Sequence, residues 1–280
     1  MNAALLRSRA TVVRALRDGL FEEGFLEVQP PVRVSGPALE ENLEAVPSGD
    51  AWLHTSPEFA LKRVLAAGLP RVYAITPCFR AEERGAHHEL EFTMLELYFC
   101  NANYLDLVPV VEALIGRCAS AVAASPPSFD QTTVALLYAG AVPEDDDRFF
   151  RSWVEEIDPV ITARTAGPPP SGLWVRDYPA RHAALAEVRG PVSERLELYF
   201  GGIELANGFS ELRDGAELRS RFEASAAHRR AAGRAPHPTD EGVIAASDRF
   251  PRAAGIALGV DRLVMALTGA RHIQDVSVPA

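Results

Sequence analysis

Residues 197–212, Glu-Leu-Tyr-Phe-Gly-Gly-Ile-Glu-Leu-Ala-Asn-Gly-Phe-Ser-Glu-Leu, crowd three carboxylates, an amide and an aromatic ring onto one expected β-hairpin. Burying that much like charge is costly unless a cation neutralises it. A metal ion, a cationic substrate or both would serve. If Gly201 and Gly202 form a two-residue turn, Phe200 pairs with Ile203 and Tyr199 with Glu204. Glu197 and Glu204 then share a face, where they would hold Mg²⁺ and, through it, phosphate oxygens. Strict alternation turns Asn207, Phe209 and Glu211 to the other face, a conflict that a bulge at Gly208 would relieve. The plain alternative is a solvent-facing acidic strand, but Asn-Gly-Phe inside an apolar run fits that badly.

A second constellation spans Phe79–Tyr98. Side chains alternate along a strand, so Phe92, Met94, Glu96 and Tyr98 share one face. A carboxylate and a phenol among apolar groups suit a ligand with a cationic end and a hydrocarbon stem. Arg80, where a first strand gives way to a charged loop, offers a planar fork to phosphate or carboxylate oxygens. Phe92 can stack on a base. An exposed hairpin with a salt-bridged tip would explain the same residues alone. The third constellation is Gly255-Ile-Ala-Leu-Gly-Val-Asp-Arg262, a strand running into a helix. Gly255 and Gly259 allow close approach of backbone to a ligand, Arg262 can hold a triphosphate end, and Asp261 can fix that arginine or cap the helix.

The elements needed to position these groups are legible. Residues 4–22 read as an amphipathic helix closed by Gly24, and Phe25–Pro31 as a short strand stopped by prolines. Thr55-Ser-Pro-Glu58 has the signals of a helix start. Strands are expected at 71–80 and 91–99, an apolar helix at 104–124 and a charged helix at about 214–232. Residues 119–128, 144–147 and 166–172 read as surface loops, and 228–234 mostly as a solvated helix face.

Composition adds bounds. The chain has 280 residues, 48% of them hydrophobic, enough for one large core. Its net charge of −10 opposes a polyanionic partner, which makes tRNA an unlikely one. The three cysteines form no metal-ligand spacing, no apolar signal core opens the chain, and no apolar run is long enough to cross a membrane. A cytoplasmic protein is expected.

In this order and spacing, the constellations resemble the signature motifs of class II aminoacyl-tRNA synthetases. Phe25–Pro31 resembles motif 1, Phe79–Tyr98 motif 2 and Gly255–Leu267 motif 3. Glu-Phe-Thr-Met-Leu-Glu-Leu-Tyr and Gly-Gly-Ile-Glu-Leu-Ala-Asn-Gly-Phe-Ser-Glu-Leu resemble the lysine branch. The resemblance covers nearly the whole chain and implies an α+β fold, a mixed, mostly antiparallel sheet flanked by helices. It further implies one catalytic domain over 1–280 with no anticodon-binding barrel, working as a homodimer through the 4–31 region. That absence is similar to the free-standing paralogues that attach (R)-β-lysine to elongation factor P.

The resemblance also implies roles. Arg80 would hold the α-phosphate of ATP and the substrate carboxylate, and Arg262 the γ-phosphate. Glu82 and Phe92 would contact adenine, with His88, Glu89, Leu205 and Gly259 also around the nucleotide. Glu197 and Glu204 would bind Mg²⁺. Glu58 would take the backbone amine of the substrate, and Ser56 and Pro57 would also lie in the substrate site. Glu96, Tyr98, Asn207, Phe209 and Glu211 would take its side chain. Ser56 and Ala257 stand where lysyl-tRNA synthetases usually have Ala and Gly, and the extra methyl of Ala257 would favour a β-amino substrate. Glu89 stands where the family has Asn, placing an added negative charge near ATP. Two alternatives stay open: activation of L-lysine for another acceptor, and a catalytically silent paralogue that only binds.

Overall fold

Helix α1 (Ala3–Glu22) forms as the spacing predicts. The Asn2 side chain accepts the backbone N–H groups of Ala4 and Leu5, and Val12, Leu16 and Leu20 are buried on one side. This computed structural model describes residues 2–39 and 43–278. The expected motif 1 strand contracts to β1 (Leu26–Glu27), since Pro30 and Pro31 cannot extend a ladder. Strands β2 (Arg33–Val34), β3 (Pro47–Ser48) and β4 (Ala51–Leu53) make a small separate sheet, and α2 (Glu58–Ala66) follows.

The main sheet gathers β5 (Arg71–Phe79), β6 (Glu91–Cys100), β7 (Phe129–Thr133), β8 (Gly172–Pro179), β9 (Val188–Arg189), β10 (Val192–Phe200), β11 (Ile203–Ser210) and β12 (Ala253–Gly259) beside β1. Its order is β1-β5-β6-β12-β11-β10-β8-β7, with β9 on β10. The β1–β5 and β7–β8 pairs are parallel and the others antiparallel. This is the α+β architecture expected, a mixed and mostly antiparallel sheet flanked by helices.

Alternation gives the sheet two unlike faces. Leu95, Leu97 and Phe99 of β6, Ile256 and Leu258 of β12, and Leu196, Leu198 and Phe200 of β10 are buried in one cluster. They pack with α1, α3 (Leu107–Ala121) and α9 (Val260–Thr268). The opposite face carries Glu96, Tyr98, Asn207 and Glu197, the polar residues of the motifs. Burying one face against helices leaves no register freedom, because a one-residue slip would drive these carboxylates into the apolar core.

Two loop expectations and one helix-face expectation need correction. Residues 119–121 complete α3. The acidic run does not stay a loop: Asp145 caps α5 (Asp146–Ser152) by accepting the Arg148 N–H, as an acid at a helix start does. A π-helical turn, Trp153–Ile157, joins α5 to α6 (Asp158–Thr165), and α4 (Val134–Leu137) precedes them. The tail of α7 (Gly215–Ala231) is not simply solvated. Arg229 is 1% exposed, donates to the carbonyls of Leu43 and Ala235 at 2.8 Å each, and pairs with Glu44 at 2.7 Å. Helices α2, α7 and α8 (Glu241–Ser247) share a smaller apolar cluster through Phe59, Leu218, Phe222, Val243 and Ile244.

Candidate active site

The β10–β11 hairpin sets the site. Gly201 and Gly202 turn with positive φ, +64° and +85°, and Phe200 pairs with Ile203 and Tyr199 with Glu204 as expected. The register then shifts between Leu198 and Tyr199: Leu198 faces Ala206, so Leu205 is the extra residue. The bulge therefore lies at Leu205, not at Gly208, which pairs regularly with Leu196 and Ile256. One inserted residue turns Asn207 onto the same face as Glu204. Asn207 stands between Glu197 and Ala257, and Ala257 stands beside Glu96. Phe209 and Glu211 follow by alternation. The bulge converts two opposed sets of residues into one floor.

That floor lines a cleft of about 1680 Å³, except for Glu211, which is 1% exposed and not part of the lining. At one end is a cluster of three carboxylates. Glu96 accepts the Ser56 hydroxyl at 2.5 Å and the Tyr98 hydroxyl. Ser56 in turn accepts the Glu58 backbone N–H at 3.1 Å, fixing the start of α2. Lys62 Nζ lies 2.6 Å from both Glu58 Oε1 and Glu211 Oε2, and 5.2 Å from the Phe209 ring centre. Gly255 is required here, because a Cβ at that position would sit 2.1 Å from the Tyr98 ring. Its close approach is thus to Tyr98, where the sequence suggested a ligand.

Burial, with Glu58 adding to it, pushes Glu96 up to about 8, against the hydrogen bonds from Ser56 and Tyr98. Burial likewise raises Glu211 to about 8 although Lys62 opposes it. A dicationic ligand requires the ionised forms, so its binding expels protons. Its affinity should therefore rise with pH and level off above about pH 8, measurable as KM against pH. Both folded-state values exceed the ordinary carboxyl value, so the unliganded protein should lose stability as pH rises through about 8, and added ligand should restore it.

The other end of the cleft is cationic. Arg80 stacks over Phe92, 5.1 Å from the ring centre, and reaches Glu83 at 3.3 Å. Arg262 donates to the carbonyls of Glu204 at 2.8 Å and His87 at 3.2 Å, and to His88 Nε2 at 2.6 Å. A guanidinium only donates, so Nε2 is the acceptor and the proton of a neutral His88 sits on Nδ1. Burial and the neighbouring Arg262 lower the His88 pKa, which keeps it neutral. Asp261 neither fixes Arg262 nor caps α9. It accepts from Arg9 of α1 and from the Thr93 N–H at 2.6 Å, tying α1, β6 and the start of α9 together. Gly259 ends β12 just before that helix.

Two residues of the motif 2 loop differ from their expected places. Glu82 is exposed and outside the cleft lining, whereas its neighbour Glu83 is within it. Glu89 stands at the cleft rim with its carboxylate held by the Gln274 side-chain amide, and the Ile273 N–H donates to the Ala86 carbonyl at 2.8 Å. The C-terminal segment thus orients the carboxylate that the sequence placed near ATP. Pro57 caps α2 and is not part of the lining, while Ser56 and Glu58 are. Leu205 is the buried bulge residue.

Among the described residues, no group of three or more His, Cys, Asp or Glu side chains is set to hold a metal ion. The pair named from sequence is unequal. Glu197 is buried and accepts Arg195 at 2.6 Å, the Tyr178 hydroxyl at 2.6 Å and the Tyr199 hydroxyl at 2.9 Å. Glu204 opens onto the cleft; enclosure by its walls and the charge of Glu197 raise it to about 7. One free carboxylate backed by a second suits Mg²⁺, which keeps most of its shell for water and phosphate. Sequence reasoning missed Lys62, Arg195, Tyr178 and Arg9. Only Lys62 carried a usable signal, its i,i+4 spacing from Glu58.

The sequence matches the family model for tRNA synthetases class II (D, K and N) over residues 1–278. Among its relatives is an elongation factor P–(R)-β-lysine ligase of Vibrio cholerae, 36% identical over 97% of this chain and 94% of that protein. Proteins of the same name from Vibrio campbellii and Photorhabdus laumondii are 35% and 34% identical, over 97% and 98% of this chain and 94% of each relative.

Proposed function

Because the chain belongs to the class II tRNA synthetases (D, K and N), we propose that it activates (R)-β-lysine with ATP and passes it to a lysine side chain of elongation factor P. The observation that carries the reading is the cluster of Glu58, Glu96 and Glu211 joined through Lys62 and Ser56, with Glu58 and Glu96 lining the same cleft as Arg80 and Arg262. A lysine isomer has two ammonium groups for the first end and a carboxylate for the second. The names of the relatives support the β-isomer and the acceptor.

In the first step the substrate carboxylate attacks the α-phosphate, a new P–O bond forms and pyrophosphate leaves. The carboxylate is already ionised at neutral pH, so no general base is needed. Arg80 neutralises the α-phosphate and the attacking oxygen while Phe92 stacks on adenine, and Arg262 takes the terminal phosphate. Glu204, with Glu197 behind it, would hold magnesium, which would supply further charge neutralisation at the phosphates. Glu89, His88, Leu205 and Gly259 border the nucleotide. Glu58 and Ser56 receive the amine nearer the carboxylate. Glu96, Tyr98, Asn207, Phe209 and Glu211 receive the far one. In the second step the acceptor ε-amine attacks the carbonyl, an amide forms, AMP departs and the amine gives up a proton.

Ala257 sits on the floor between Glu96 and Asn207, so its methyl occupies space under the substrate amine. Ala257→Gly should shift the ratio of kcat/KM toward L-lysine by about tenfold or more, the usual worth of one methyl in a pocket. Exposed Phe21 and Leu26, on the end of α1 and on the edge strand β1, support the homodimer reading. Among the described residues no helix is long and apolar enough to cross a membrane. The function is tested by incubating elongation factor P with the protein, ATP and (R)-β-lysine and weighing it by mass spectrometry. Gain of one β-lysyl residue is expected; an unmodified acceptor beside active enzyme would reject this partner.

A further inference from the structure

Resting on the function proposed above, we infer that Lys62 is a specificity-determining positioning residue, a built-in ammonium that sets the charge and geometry of the substrate pocket for a diammonium amino acid. Lys62 enters from α2, 4% exposed, with its Nζ between Glu58 and Glu211 at 2.6 Å to each. Its contact with Glu58 is a sound hydrogen bond. Its contact with Glu211 is an ion pair only, and neither buried oxygen of Glu211 has a well-aligned hydrogen-bond donor. Glu211 is therefore held by the charge of Lys62 behind Glu58, which lines the cleft. Glu96, the third carboxylate, is held by Ser56 and Tyr98.

The charge count follows. In the occupied site, where the ligand draws the carboxylates into their ionised forms, three carboxylates and one fixed ammonium leave two negative charges, matching the two ammonium groups of a lysine isomer. Without Lys62 the pocket would hold one uncompensated carboxylate, costly in a buried site. An amino acid with one ammonium would leave the same imbalance. Burial opposes the charge on Lys62, but Glu211 and Glu58 outweigh it and hold the ammonium above the usual lysine range. The group stays charged with or without substrate, so it acts as part of the frame. Its four-carbon stem runs to a charge at a fixed depth beside Phe209, 5.2 Å from the ring centre. The same ring is where the hydrocarbon stem of the substrate would lie.

Chemical rescue tests this. In Lys62→Ala the amino-acid KM in ATP–pyrophosphate exchange should rise about tenfold or more, while the ATP KM holds within about twofold. Added alkylammonium ions should restore the amino-acid KM, best at propyl or butyl length and poorly with ammonium itself. Lys62→Met keeps the volume without the charge, so it should show the raised KM and no rescue. A merely structural lysine would give no chain-length optimum. If Lys62→Ala does not fold, Lys62→Met still decides, since an unchanged amino-acid KM there overturns the inference. So does a folded, ATP-binding Lys62→Ala that no amine restores. Wild-type protein that exchanges with neither lysine isomer overturns the proposed function and this inference with it. Wild-type exchange beside an indifferent Lys62 variant overturns this inference alone.

Discussion

Replacing Arg262 by alanine lowers ATP–pyrophosphate exchange by about 10²–10³-fold, the usual loss when a preorganised donor is removed from developing charge. Three facts make this the largest effect expected. Its three bonds, to Glu204, His87 and His88, all go to neutral acceptors. It can trade each for a phosphate oxygen without abandoning a buried counter-charge. The same bonds hold the motif 2 loop against β11, so alanine removes both the cation and the loop anchor. Lysine at the position keeps a charge but loses the fork, and should recover only part of the rate. The residue is only half-buried, so the melting temperature of Arg262→Ala should move little. Exchange within about threefold of wild type would show that the phosphates are held elsewhere.

Replacing Glu211 by glutamine raises the amino-acid KM about 100-fold, with the ATP KM nearly unchanged. Glu211 is 1% exposed and pairs with Lys62 at 2.6 Å. The amide keeps the shape but withdraws the charge from Lys62 and from a bound ammonium at once. Breaking a buried pair is costly because the orphaned partner stays buried. The variant should also flatten the dependence of amino-acid affinity on pH, since one of the two groups raised to about 8 is gone. Steady-state kinetics with ATP and amino acid varied separately measures both effects. A KM within about threefold of wild type would remove Glu211 from the substrate pocket.

The sequence made the floor residues readable because chemistry-bearing types at period-two spacing survive without knowledge of the fold. Glu96 and Tyr98 fall on one face of β6, and the Gly201-Gly202 turn fixes the Tyr199–Glu204 pair. The position of the bulge was not readable. Gly208 looked the better candidate on propensity, but tertiary packing placed the extra residue at Leu205. Glu89 shows the same limit, since its carboxylate meets Gln274, far along the chain. Arg229 looked like part of a solvated helix tail and is buried against Leu43 and Glu44. Local pattern decides which residues carry chemistry, and long-range contacts decide where each one points.

The most direct test of the account is ATP–pyrophosphate exchange by the wild-type protein with (R)-β-lysine and L-lysine in parallel. The account expects exchange that depends on added amino acid and is faster with (R)-β-lysine. Faster exchange with L-lysine would keep an adenylate-forming enzyme and contradict the β-lysine assignment. No exchange with either isomer from folded protein would contradict catalysis itself.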